Sequence, residues 1–310
     1  MTANILFAAR PDRWAEYEKP LRDALDKTGV SYSLSTEFPP EEVDYIIYAP
    51  NSEVQDFTPF TRAKAVLNLW AGVEHVAPNP TLDIPLARMV GGGLTEGMVE
   101  WVTGHTLRHH LGMDAHIVNP SHHWKPSPPP LAHERAVTVL GLGELGRACA
   151  TTLAGLGFRV SGWSRSPKSI ENVTCHHGES GLRDALQDSE IIILLLPNTP
   201  ATENTLNAET LALTAPGAFV INPGRGTLID DDALLAALDS GRVAHATLDV
   251  FRQEPLPADH PYWSHPKVTV TPHIASDTRP GPASEVIAEN VRRGETGAPF
   301  LHLVDRSAGY

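Results

Sequence analysis

Cysteine is nearly absent: Cys149 and Cys175 are the only two, and they lack C-x-x-C spacing. That excludes a disulfide framework and fits a reducing compartment. Positive charge is also scarce. The 310 residues carry 24 Lys and Arg against 37 Asp and Glu, a formal net charge of −13. A phosphate-backbone partner is thereby disfavoured, and any anion bound here must be held by a local cluster of cations, against the global field. No apolar run approaches the roughly 18 residues of a membrane span. The opening MTANILFAARPD has too short an apolar stretch for a signal peptide, with Arg10 and Asp12 close behind it. These absences predict a cytoplasmic protein with neither nucleic acid nor membrane as partner.

What is present is ordinary globular material. At 41% hydrophobic residues the chain can build cores, and its length suggests about two domains at roughly 150 residues each. Ile5–Ala9, Val43–Tyr48 and Ala65–Trp70 read as strands and Trp14–Lys27 as a helix stopping at Gly29, the alternation of a small parallel α/β domain. A helical pattern from about Glu96 fades near Asn119-Pro120, and WKPSPPP at 124–130 reads as a stiff connector. Beyond it, Ala136–Leu140, Phe158–Trp163, Glu190–Leu196, Gly217–Ile221, Val243–Asp249 and Lys267–Val270 give six strands of a doubly wound sheet. A helix over Ala283–Arg293 is expected to end at Gly294.

Gly141-x-Gly143-x-x-Gly146 lies directly after the strand Ala136–Leu140 and opens an Ala/Leu-rich helix. The first glycine permits the tight turn and the second lets backbone amides approach a pyrophosphate. The third lets helix and strand pack closely. The helix N-terminus then offers N–H groups and partial positive charge to phosphates. A second absence follows. Dinucleotide sites of this kind normally place an acid about 20 residues on, for the ribose hydroxyls. Here GWSRSPKS at 162–169 has none. Ser164, Arg165, Ser166 and Lys168 offer donors and positive charge instead, which suits a 2′-phosphate and hence NADP; a plain solvated basic turn is the alternative. GWSRS fails the hydrolase elbow G-x-S-x-G at Ser166, and Pro167 interrupts the strand–turn–helix that elbow needs.

Three further segments place polar groups at strand ends. INPGRG holds Arg225 between two glycines, which keep the backbone close while the guanidinium projects to take a carboxylate in bidentate fashion. TLDVFRQEPLP carries Asp249 and Glu254, and VTVTPHIAS carries His273. Such positions converge in the ligand crevice of an α/β sheet. The set suits hydride transfer to a ketone beside a carboxylate: arginine anchors and polarises, histidine supplies the proton, and glutamate orients the ring and raises its pKa. Each residue taken alone reads equally well as structural. Asp230-Asp231-Asp232 reads as helix capping. The pairs His109-His110, His122-His123 and His176-His177 lack metal-site spacing, so no metal is expected.

GLGELG, LLPNTPAT, NPGRG, LDVFRQEPLP and TPHIAS, in that order, resemble the D-2-hydroxyacid dehydrogenase family over almost the whole chain. The resemblance implies two doubly wound parallel-sheet domains, a Rossmann cofactor domain at 98–278 and a smaller flavodoxin-like substrate domain. The latter is discontinuous, at 1–97 and 279–310. WSRSPKS, LLPNTP, TRP at 278–280 and VDRSAGY match a branch that reduces glyoxylate and hydroxypyruvate, preferring NADPH, with NADH as a second cofactor. It implies Arg225, Glu254 and His273 as catalytic residues. Cofactor contacts would be Gly141, Gly143, Glu144, Leu145, Gly146, Ser164, Arg165, Ser166, Lys168, Leu196, Pro197 and Asp249. Substrate contacts would be Trp70, Ala71, Gly72, Val73, Arg88 and Arg225, and a homodimer would form through the helix and arm after residue 96. The triple glycine 91–93 departs from relatives and leaves pocket size open. Two other readings stand beside this one: a reductase of larger 2-keto acids, such as phenylpyruvate or branched-chain ones, and a non-catalytic dinucleotide-sensing protein. A sensor has no need of the complete arginine, glutamate and histidine set.

Overall fold

The structure, a computed structural model, describes residues 2–91, 93–117 and 121–306. Its elements run β1 (Ala3–Ala8), α1 (Pro11–Asp26), β2 (Tyr32–Ser35), β3 (Tyr45–Tyr48), β4 (Ala65–Asn68), β5 (Leu86–Ala87), α2 (Leu94–His110) and α3 (Asp114–Ile117). After a segment at 124–130 without regular structure come β6 (Ala136–Leu140), α4 (Glu144–Gly155), β7 (Arg159–Ser164), β8 (Val173–His177) and α5 (Gly178–Leu186). Then follow β9 (Ile191–Leu194), α6 (Ala208–Leu213), β10 (Ala218–Asn222), α7 (Asp231–Ser240), β11 (Val243–Leu248), β12 (Val268–Val270) and α8 (Pro280–Thr296). Among the described residues no helix is long and apolar enough to cross a membrane. Contacts divide the chain into Met1–Leu94 with Asp277–Tyr310, and Thr95–Ser276. Both units are α/β.

The first unit is a five-stranded parallel sheet in the order β2-β1-β3-β4-β5, a doubly wound order of the flavodoxin type. Its inner strands read as unbroken apolar runs because helices and loops cover both faces; Tyr45–Tyr48 and Ala65–Asn68 are buried throughout. α1 turns Tyr17, Leu21, Ala24 and Leu25 inward, one stripe at helical spacing, and α8 brings Ile287, Ala288 and Val291 into the same core. The sequence placed the end of α8 at Gly294. The helix continues and stops at Gly297, whose φ of +71° gives the left-handed cap. Gly294 serves close approach instead: a Cβ there would lie 2.2 Å from the Tyr45 hydroxyl.

The second unit is a seven-stranded parallel sheet, β12-β11-β10-β9-β6-β7-β8. The order reverses at β6, so its C-terminal end beside β9 is the switch point where doubly wound sheets bind ligands. Ile191, Ile192, Ile193 and Leu194 at the centre are wholly buried. One strand more than the six expected is present. β8, VTCHH, is an edge strand whose polar residues carry no apolar run to betray it. β2, YSLS, escaped the sequence reading for the same reason, and β5, at two residues, is too short for a period. Of the features singled out in the sequence, Gly92, Asn119-Pro120 and the end of VDRSAGY lie outside the described residues.

Candidate active site

The glycine turn is built by close approach. Gly141 has φ +106°, and a Cβ on it would lie 2.4 Å from the Leu195 carbonyl oxygen. A Cβ on Gly146 would fall 1.7 Å from the Gly141 carbonyl oxygen. No L side chain fits either position. At Gly143 the same test meets nothing within 4 Å: the space a side chain would fill opens in front of the helix. The first backbone bond of α4 runs from the Arg147 N–H to the Gly143 oxygen, 2.8 Å, and no side chain caps the turn. The amides of Glu144, Leu145 and Gly146 thus head the helix, the arrangement that receives phosphates. The Leu195 N–H donates to the Leu140 oxygen at 2.7 Å, which carries Leu196 and Pro197 out of the sheet alongside the turn.

The basic stretch sits next to it. The Gly141 N–H donates to the Trp163 oxygen at 2.8 Å, one residue before Ser164 at the end of β7. Arg165, Ser166 and Lys168 are exposed. Ser164 differs from the expectation of a ligand donor: it is buried, and its hydroxyl donates to the Ser166 oxygen at 2.8 Å. It shapes the turn that carries the two cations.

Past β11 the chain brings a histidine and a glutamate together. His273 Nδ1 lies 2.7 Å from Glu254 Oε2, and Glu254 Oε1 accepts the Phe251 N–H at 2.9 Å. The Glu254 hydrogen bond raises the pKa of His273 above its ordinary value, with burial and the Arg225 charge opposing. Burial alone would raise Glu254, but the bonds from His273 and the Phe251 amide, with the charges of His273 and Arg225, carry it below the usual carboxylate value. Arg225 therefore acts electrostatically on both partners. Its own turn is fixed by Asn222, whose Nδ2 donates to the Arg225 oxygen at 2.9 Å and whose Oδ1 accepts the Gly224 N–H at 3.1 Å. The flanking glycines keep the backbone close, as their position suggested. A Cβ on Gly224 would lie 2.7 Å from the Leu194 oxygen, and one on Gly226 only 1.9 Å from the Phe251 carbonyl carbon.

Asp249 has a task the sequence did not suggest. It is wholly buried, and its carboxylate accepts from Thr271 Oγ1 (2.6 Å), Ile274 N (2.9 Å) and Ala275 N (2.8 Å). These bonds brace the loop that holds His273 at a φ of +54°, a left-handed conformation costing a non-glycine residue roughly 1–2 kcal/mol. Asp230 caps α7 through the Ala233 N–H as expected, whereas Asp231 accepts the Tyr262 hydroxyl at 2.8 Å. His109 stacks on Phe219 and bonds Thr247 Oγ1 at 2.9 Å; burial pushes its pKa down to about 3, so it is a neutral packing residue. Among the described residues no three His, Cys, Asp or Glu gather as a metal site.

In the first unit the loop Trp70–Val73 is shaped by Asn68, a buried residue missed in the sequence. Its Nδ2 donates to the oxygens of Trp70 (2.8 Å) and Gly72 (3.1 Å). Val73 is buried in the core beside the sheet, and Trp70 is 39% exposed. The Arg88 N–H donates to the His302 oxygen at 3.0 Å.

A glycine turn at a switch point, with an arginine and a histidine–glutamate pair at neighbouring strand ends, defines a dinucleotide-dependent oxidoreductase. The sequence profile of the D-isomer specific 2-hydroxyacid dehydrogenase NAD binding domain matches residues 105–275, and the chain belongs to the D-isomer specific 2-hydroxyacid dehydrogenase family. It is 39% identical to glyoxylate/hydroxypyruvate reductase A of Serratia proteamaculans over 257 residues, 80% of this chain and 82% of that one. A D-isomer specific 2-hydroxyacid dehydrogenase from Xanthobacter autotrophicus Py2, solved with NADPH and MES, superposes with a TM-score of 0.93 at 39% identity over the full length of both chains. An NADPH-dependent glyoxylate/hydroxypyruvate reductase from Sinorhizobium meliloti, solved with NADP and sulfate, gives 0.87 at 33% identity, again over both full lengths.

Proposed function

We propose that this chain is a cytoplasmic, NADPH-preferring reductase of small 2-keto acids, converting glyoxylate to glycolate and hydroxypyruvate to D-glycerate. The observation that carries this reading is the 2.7 Å His273–Glu254 pair, felt electrostatically by Arg225. Gly141–Gly146, Leu196 and Pro197 hold the dinucleotide, and Asp249 serves its nicotinamide end chiefly by bracing the His273 loop. Bound there, the reduced nicotinamide supplies a hydride. Arg225 takes the substrate carboxylate through its forked donors and polarises the adjoining carbonyl. His273, kept protonated by Glu254, gives its proton to the carbonyl oxygen. In the first unit, the substrate domain of this reading, Ala71, Gly72 and Val73 offer backbone amides to the carboxylate, with Trp70 and Arg88 as side-chain contacts. The turned-in carbonyls of Trp70 and Gly72 support that role.

Arg165 holds the 2′-phosphate, with Ser166 as donor and Lys168 as second cation. Arg165→Ala is expected to weaken NADPH binding roughly 10- to 100-fold, one or two charge-assisted hydrogen bonds' worth, while NADH binding stays as it was. Fluorescence titration with both cofactors checks this; equal affinities in the wild type would return the stretch to an ordinary basic turn. We extend the reading to a homodimer joined through α2 and the arm beyond it. Trp124, 96% exposed on that arm, is the kind of side chain such an interface covers. Sedimentation equilibrium should give the mass of two chains, and the mass of one would count against it.

A further inference from the structure

We propose that Arg252 is a positioning residue. It fastens the turn presenting Arg225 to the loop presenting Glu254, and so sets the spacing between the carboxylate-binding and proton-donating groups. This deepens the reductase reading and rests on it.

Arg252 lies in the same loop as Glu254, yet its guanidinium turns to other parts of the chain. Nη2 donates to the Ile229 oxygen at 2.5 Å, to Asn204 Oδ1, and more weakly to the Thr227 oxygen at 3.4 Å. Nη1 reaches Glu203 Oε1 at 3.3 Å, and Nε lies 3.7 Å from Asp231 Oδ2. The carbonyls it takes belong to residues two and four beyond Arg225. From the other side the backbone of Phe251 and Arg252 closes on Gly226, where a Cβ would lie 2.3 Å from the Arg252 nitrogen. From the Glu254 loop, the turn at 226–229 is thus held by the main chain of Phe251 and Arg252 at its first position and by the Arg252 side chain at its last. Thr227 passes the grip on, donating to Asn198 Oδ1 at 2.8 Å in the loop after β9.

Only a planar fork with several donors can serve acceptors spread over two loops; a lysine offers one point charge on a flexible stem. The ion pairs themselves add little, since the side chain is one-third exposed and water competes. What the fork contributes is register. A displacement of about 1 Å between reacting groups can lower turnover by roughly 10²-fold. The pH profile reports the register as well, because the Glu254 bond is the largest influence on His273.

The test compares Arg252→Ala and Arg252→Lys with the wild type for glyoxylate KM, kcat, NADPH Kd, thermal midpoint and the pH dependence of kcat/KM. Arg252→Ala should raise KM and lower kcat/KM by about 10- to 100-fold. The alkaline decline should move to lower pH, NADPH affinity should be unchanged, and Arg252→Lys should recover only part of the loss. Should the alanine variant fail to fold, the lysine variant carries the same comparison against the wild type. A wild-type KM and pH profile in a folded variant overturns the proposal. So does a loss that tracks the thermal midpoint and NADPH affinity with the profile unmoved. Arg225→Ala and His273→Ala, assayed alongside, separate the two levels. If they are inactive while Arg252→Ala is normal, only Arg252's role fails; if the wild type itself does not turn over glyoxylate, the reductase reading fails.

Discussion

His273→Ala is expected to lower kcat for glyoxylate reduction by roughly 10²–10⁴-fold, the usual contribution of a positioned general acid. NADPH should bind as before, because the glycine turn and basic stretch do not depend on the imidazole. The reaction needs a proton at the carbonyl oxygen as negative charge develops there, and the 2.7 Å bond to Glu254 raises the pKa of His273 in favour of its protonated form. The sign follows for pH. Reduction requires the imidazolium, so kcat/KM is flat below the raised pKa of His273 and falls as pH rises through it. Glu254→Gln removes the carboxylate that raises that pKa, and the decline should move to lower pH. Steady-state rates across pH for the wild type and both variants check the pair together. Unchanged turnover in His273→Ala at saturating glyoxylate would remove it from the role, and a profile unmoved by Glu254→Gln would uncouple the two.

Arg225→Ala should be comparably severe and differently distributed. Each hydrogen bond to a charged group is worth roughly 1.5–3 kcal/mol, so losing a bidentate grip on the carboxylate corresponds to about 10²–10⁴-fold in kcat/KM. Substrate KM should rise and kcat fall, because in the proposed mechanism the same guanidinium binds the carboxylate and polarises the carbonyl. NADPH affinity should hold. Arg225→Lys should recover charge without the fork and remain well below the wild type. A variant that loses cofactor binding while keeping its glyoxylate KM would place Arg225 with the dinucleotide instead.

How much of this was legible in the sequence varied with the kind of interaction. The glycine turn showed itself because its three positions follow a strand and open a helix within one short segment, and the clashes at Gly141 and Gly146 explain why nothing else fits. Arg225, Glu254 and His273 were legible because parallel strands deliver their C-terminal ends to one edge, so residues just past them are natural candidates. The rest depended on partners distant in sequence. Nothing around Ser164 says that its hydroxyl turns to Ser166. Nothing around Gly294 says that it faces Tyr45. The amide of Asn68 and the guanidinium of Arg252 belong to the same class. Each is an unremarkable polar residue until the fold sets carbonyls around it. The edge strands β2 and β8 escaped because one-sided burial leaves too few apolar residues to form a pattern.

Small-substrate, NADPH-linked reduction is tested most directly by cofactor oxidation at 340 nm across a panel of 2-keto acids with NADPH and NADH. The expected result is turnover of glyoxylate and hydroxypyruvate, with kcat/KM higher for NADPH and low for phenylpyruvate and branched-chain acids. Faster reduction of the larger acids would contradict the substrate assignment, and tight NADPH binding without turnover of any acid would make the chain a dinucleotide sensor.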